Sequence, residues 1–201
     1  MKRIISQTVD MLVENDPLIE QQRAKYEYGI DVFFSSLLNM LGILVIYALL
    51  GYLQEVMVLI AFFASLRTFA GGYHAQTRLS CFTFFLVISG IAMWLYQHIS
   101  FDANSQVLLL GLGSCLAFVA KFAPIDTSNK PIGDVKKKKY RTKSIMIVIS
   151  QILIIFSLYK LSYDGMALAA TLGVFSAVFT MLIHLIQQVL RGEFYHEFKS
   201  I

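Results

Sequence analysis

Charge is scarce in this chain and cysteine scarcer. Only 15% of its 201 residues are Asp, Glu, Lys or Arg, 57% are hydrophobic, and there are two cysteines. A soluble domain of this length carries about 25% charged and about 45–50% apolar residues, so a water-soluble fold is excluded. The mean hydropathy of +0.64 agrees. Cys81 and Cys115 both lie in or beside apolar runs and imply no disulfide framework. The N-terminus M-K-R-I-I-S-Q-T-V-D lacks the long apolar core and small-residue cleavage site of a signal peptide. No nucleotide-binding P-loop is present, no repeat is evident, and the only low-complexity tract is a run of lysines.

What remains is an all-α polytopic membrane protein. A crossing takes about 20 apolar residues, so the length leaves room for six or seven spans and no separate soluble domain. The chain is expected to form one integral membrane domain, 1–201. Residues 1–28 are its cytoplasmic or interfacial N-terminal part, beginning with an amphipathic surface helix that sets Ile5, Val9, Leu12 and Val13 against Asp10 and Glu14. Asp16-Pro17 suits the start of a second helix, running through Gln21 to Glu27 toward the membrane. Six apolar runs follow at roughly 30–50, 56–69, 79–97, 106–122, 144–161 and 166–190.

Lys and Arg set the orientation. The 124–143 segment, expected to be a basic cytoplasmic loop, holds Lys130, Lys136 to Lys139, Arg141 and Lys143. The connections around Gln54, Phe101-Asp102 and Ser162 to Asp164 hold none. With Lys2, Arg3, Arg23 and Lys25 near one terminus and Arg191 and Lys199 near the other, six crossings place both termini and the 67–81 segment on the cytoplasmic side of the cell membrane. Four spans with the short second run lying on the surface is the alternative.

The 67–81 segment reads R-T-F-A-G-G-Y-H-A-Q-T-R-L-S-C. On one unbroken helix His74 and Cys81 would share a face but stand about 10 Å apart along its axis, too far for a base to reach its nucleophile. Gly71-Gly72 disfavours helix there, and Thr77 or Ser80 suits the cap of a new one. Cys81 would then sit in the first turn of the third span, where the positive helix end favours a thiolate, with His74 folding back over it. Plainer roles fit the same residues: a small core thiol and a histidine in a local hydrogen bond. Zinc wants four ligands, whereas His98 falls on the other membrane side and His184 and His196 lie far along the chain, so no metal is expected. Cys115, in G-L-G-S-C-L-A, reads as packing among small residues.

These residues resemble the signature of the accessory gene regulator B (AgrB) family, membrane cysteine endopeptidases of bacterial peptide quorum sensing. The signature has an Arg, a Gly-x-His element and a Cys seven positions after the His, onto which Arg67, Gly72, His74 and Cys81 fall. A-P-I-D-T-S-N-K-P-I at 123–132 is similar to the family's Ala-Pro segment ending in Lys-Pro-Ile. The resemblance covers nearly the whole chain. It implies that His74 and Cys81 are catalytic, that the substrate is an AgrD-like precursor peptide, and that a Cys81 acyl-thioester passes to an internal Cys or Ser of the precursor to give a cyclic thiolactone or lactone. It implies a homodimer in the lipid bilayer, no cofactor and no nucleic-acid partner.

Other residues have weaker claims. Arg67 either holds substrate carboxylates or the loop itself, or anchors at the interface. Asp31, just inside the first span, is an ionisable group at membrane depth and a candidate to orient His74. Lys130 and Lys136 to Lys139 suit an acidic precursor tail or anionic lipid equally well. Gly71 and Gly72 form the hinge. Two readings compete with an enzyme: a peptide transporter, which would more readily break two matching helices than one, and a scaffold docking a partner through its lysines, in which Cys81→Ser would be silent.

Overall fold

The computed structural model describes residues 2–15, 20, 23–72, 78–125 and 134–190. They form seven helices: α1 Lys2–Asn15, α2 Arg23–Leu49, α3 Leu53–Ala70, α4 Arg78–His98, α5 Phe101–Phe122, α6 Asp134–Lys160 and α7 Asp164–Leu190. There is no strand among the described residues. Six helices, α2 to α7, are long and apolar enough to cross a membrane, which favours six spans over four. The predicted runs and the observed spans agree to within a few residues except at α6. There the apolar run was expected from 144, yet the helix begins at Asp134. Lysine is a good helix former, so the basic run from Lys136 to Lys139 is helical, not part of a loop.

The chain divides into two compact units, Met1–Leu49 and Leu50–Ile201. In the first, Arg23 holds α1 to α2. Its guanidinium donates to Asp10, to Glu20 at 3.3 Å, to Glu27 at 3.1 Å and to the Ser6 hydroxyl at 3.5 Å. These carboxylates stabilise its charge and push its pKa up still further. On α1, Val9 is buried and Asp10 exposed, as an amphipathic helix requires. The Asp16-Pro17 start signal lies outside the described residues, and α2 runs unbroken from Arg23 into the first span. Phe33, Leu38, Leu41 and Val45 are exposed along it, as expected of a helix whose solvent is hydrocarbon.

In the second unit α7 is the hub, packing against α3, α4, α5 and α6. Its buried residues include Ala167, Ala169, Ala170, Gly173 and Ala177; small side chains let helices approach closely where lipid supplies no hydrophobic drive. A Cβ on Gly173 would fall 2.6 Å from the Leu59 carbonyl oxygen of α3. Buried Gln151 ties α6 to α3, its Nε2 donating to the Phe62 carbonyl at 2.8 Å and the Ser65 hydroxyl at 2.9 Å.

The two ends of this unit differ in charge. One gathers Arg67, Lys121, Lys137 to Lys139, Arg141 and Lys143. There Arg141 caps α5 by donating to the Ala120 carbonyl at 3.0 and 2.6 Å, and Lys143 lies 4.9 Å over the Phe69 ring. At the other, Tyr96 meets Glu55 at 3.5 Å and Tyr159 donates to Asp102 at 3.2 Å.

Candidate active site

At the lysine-rich end α3 stops where the sequence places its glycines. Gly71 has φ 78° and ψ −157°, and Gly72 has φ 134°, conformations that a side chain disfavours. The Gly71 amide still donates to the Arg67 carbonyl at 3.1 Å, and the Ile125 amide donates to the Ala70 carbonyl at 3.0 Å. The chain leaving α5 therefore docks on the hinge, so closely that a Cβ on Gly71 would meet the Ile125 oxygen at 2.6 Å. Two segments some 50 residues apart, 67–72 and 123–125, are thus joined.

Arg67 lies within this hinge. Its Nη1 donates to the Thr180 hydroxyl on α7 at 2.9 Å, and Thr180 in turn donates to the Ala177 carbonyl at 2.8 Å. The guanidinium lies 5.6 Å from the centre of the Phe63 ring. A Cβ on Gly72 would fall 2.9 Å from Arg67 Nη1 and 3.1 Å from Thr180 Oγ1, so the missing side chain makes room for that pair.

Helix register places Cys81 beside them. Tyr52 and Tyr96 pair edge-to-face at 6.4 Å, and Phe63 and Phe85 pair at 4.9 Å. Between these pairs α3 and α4 advance by equal numbers of residues in opposite directions. One further turn on each brings Arg67 level with Cys81. Against α7, the Tyr96 hydroxyl abuts Gly165, and the same antiparallel count puts Cys81 level with Thr180. Arg67, Cys81 and Thr180 thus occupy one layer, from three helices.

Cys81 is a free, half-buried thiol and the fourth residue of α4. The first four amides of a helix have no partner within it, so its sulfur stands at the positive end of the α4 dipole. Ser80 is the third residue of α4. It is thus within the helix and does not cap it, because the helix already begins at Arg78. Thr77 and His74 lie outside the described residues, as does Lys130, so the expected meeting of His74 with Cys81 is not among the contacts described. Asp31 belongs to α2, in the other compact unit, near the start of the span Gly29–Leu49. Cys115 is buried in α5. No group of three His, Cys, Asp or Glu able to hold a metal occurs among the described residues.

Sequence reasoning missed the α7 side of this layer. Thr180, His184 and Gln188 recur every fourth residue and share a face of α7. Thr180 is fully buried, while Leu182, Ile186 and Val189 on other faces are exposed. Polar residues at i, i+4 and i+8 in an apolar span were the available signal.

The sequence profile described as accessory gene regulator B matches residues 5–182. An AgrB-like protein of Clostridium perfringens is 25% identical over 187 residues, covering 87% of this chain and 86% of its own. Accessory gene regulator protein B of Staphylococcus intermedius is 36% identical over 88 residues, 43% of this chain and 45% of its own. Protein FsrB of Enterococcus faecalis is 30% identical over 133 residues, covering 62% and 53%. No solved structure matches the chain significantly.

Proposed function

Because this chain belongs to the accessory gene regulator B family, we propose that it is a membrane-embedded cysteine endopeptidase and cyclase that matures a quorum-sensing precursor peptide of the AgrD type. The observation that supports this best is the placement of Cys81: a half-buried free thiol in the first turn of α4, level with a cation and beside a glycine-built break. The break removes the geometric objection to His74 and Cys81 meeting.

In this reading His74 accepts the Cys81 proton and the thiolate attacks a peptide carbonyl of the precursor. The amine of the acidic C-terminal tail leaves with the proton returned by His74, and an acyl-thioester remains on Cys81. The thiol or hydroxyl of an internal Cys or Ser of the precursor then attacks that thioester. The Cys81 thiol is released and the ring closes as a thiolactone or lactone. Amides at the start of α4 are placed to stabilise the oxyanion. Exclusion of water protects the thioester from hydrolysis, and tethering of the internal nucleophile replaces a bimolecular encounter. Arg67, fixed by Thr180, orients the hinge and draws the carboxylates of the tail. The lysine-rich end faces the cytoplasm, and the protein works as a homodimer.

Reconstituted in liposomes with its precursor, the wild-type chain cleaves the tail, whereas Cys81→Ser and His74→Ala accumulate normally and do not. A hydroxylamine-sensitive adduct maps to Cys81 and persists when the precursor lacks its internal nucleophile. Tail cleavage by Cys81→Ser at the wild-type rate would defeat the reading and favour a transporter.

A further inference from the structure

The cations at the lysine-rich end fall into groups that face different ways. Lys143 lies over the ring of Phe69 on α3, two residues on from Arg67, on the side of the thiol layer. Lys121, Lys138 and Arg141 belong to α5 and α6. The Arg141 guanidinium donates to the carbonyl of Ala120, the residue before Lys121. Lys138 stands three residues before Arg141 and is its neighbour on the surface of α6. All three side chains are exposed, and they gather at the seam between α5 and α6.

Helix periodicity turns this seam outward. On α5 the buried Leu112, Cys115 and Val119 mark the inner face. At about 3.6 residues per turn, Lys121 falls opposite them, in line with exposed Leu110, Ser114 and Ala117. On α6 the buried Ser144, Val148 and Gln151 mark the inner face, from which Gln151 bonds to α3. Lys138 lies on the outer side of Arg141, in line with exposed Ile149 and Leu153. The apolar span of α5 ends at Phe122 and that of α6 begins at Lys137. The three cations thus stand at the edge of the hydrocarbon, above a strip that faces lipid. Ser114 satisfies its hydroxyl on the Leu110 carbonyl at 3.0 Å, so it sits in that strip without an unmet donor.

No described group neutralises this charge. Among the described side chains the carboxylates of the second unit are Glu55, Asp102 and Asp164, all at the opposite end. Every ion pair among the described residues belongs to Arg23. Arg141 gives two N–H groups to Ala120, and a guanidinium has others for a further acceptor. Like charges drawn together at a low-dielectric boundary repel, and an anion among them removes that cost. An acidic peptide held at the thiol layer would meet Arg67 and Lys143 first. The anion that fits the seam carries an apolar body of its own, because the surface continuing from the cations is turned to hydrocarbon.

We infer that Lys121, Lys138 and Arg141 form a binding site for an anionic phospholipid of the leaflet at the lysine-rich end. Its phosphate lies among the three cations and its acyl chains run along the α5–α6 seam. The site is separate from Cys81 and stands or falls apart from the enzyme reading.

The full chain, purified in dodecyl maltoside, is titrated with dioleoylphosphatidylglycerol or with dioleoylphosphatidylcholine. Native mass spectrometry counts the bound lipid, and the unfolding temperature is followed alongside. We expect phosphatidylglycerol to bind and to raise the unfolding temperature, and phosphatidylcholine to do neither. Lys121→Gln/Lys138→Gln leaves Arg141 on the Ala120 carbonyl and lowers the affinity about 25-fold, roughly fivefold per cation. Lys139→Gln/Lys143→Gln removes the same charge from another face of α6 and stays within about twofold, since salt screens the more distant cations. Inorganic phosphate and a hexaglutamate peptide, at the concentration of the lipid, leave it bound. Equal loss in the two double variants shows a diffuse field and overturns the inference. Equal binding of phosphatidylcholine does so as well, by removing the need for a charged headgroup. Displacement by phosphate makes the seam a plain anion site, displacement by hexaglutamate makes it a peptide surface, and either result also overturns it.

Discussion

Ile125 and Ala70 are joined backbone to backbone, amide to carbonyl at 3.0 Å, so the chain leaving α5 is bonded to the last residue of α3. This bond fastens the A-P-I segment onto the glycine hinge. It brings the start of one motif against the end of the helix that carries the other, although the two lie far apart in sequence.

Gly71→Ala should disturb that junction. The φ of 78° and a Cβ only 2.6 Å from the Ile125 oxygen both oppose a side chain, at a cost of about 1–3 kcal/mol. We expect tail cleavage to drop sharply while the protein still inserts, as measured by liposome assay alongside thermal unfolding in detergent. Gly29→Ala, with nothing within 4 Å of its Cβ, serves as the neutral control.

Thr180→Val keeps the shape and removes one acceptor of Arg67. A hydrogen bond from a charged donor is worth about 1.5–3 kcal/mol, so the thermal midpoint should fall and cleavage weaken. Thr180→Ser, which keeps the hydroxyl, should stay close to wild type. Equal behaviour of Val and Ser variants would show that the 2.9 Å contact carries no weight.

The two thiols should react unequally. Cys81 is half-buried at a helix start, whereas Cys115 is 8% exposed within α5 and out of a reagent's reach. Limited treatment with N-ethylmaleimide should modify Cys81 first, by mass spectrometry of peptides, and abolish cleavage in step with labelling. Cys115→Ala should leave the rate unchanged.

Gly173→Leu should be the most damaging change in α7. The smallest addition already comes within 2.6 Å of the Leu59 oxygen, so a larger side chain must part α3 from α7. Loss of folded yield and a lowered unfolding temperature are expected, with no rescue by precursor peptide.

Much of this arrangement was legible in the sequence. Apolar length marks spans directly, because in a bilayer the backbone must satisfy its own hydrogen bonds and a helix is the economical way to do so. The glycine pair marked the break for a local reason, as the backbone there turns to positive φ. Of the two residues suited to cap the new helix, Ser80 falls inside it, because α4 begins at Arg78. Lys136 to Lys139, within the basic segment between two apolar runs, are helical because charge ends a membrane crossing and not a helix. Thr180 was hard to read as a neighbour of Arg67: their contact comes from packing between the last span and the second, and the polar spacing along α7 was its only trace in the sequence.

The hub position of α7 bears on biogenesis. Helices emerge from the ribosome in order, and the one that touches α3, α4, α5 and α6 is made last. Until it inserts, Arg67 waits without the Thr180 hydroxyl that later receives it. The joining of these helices therefore arrives as a single late event, when synthesis of the chain has already passed α3 to α6.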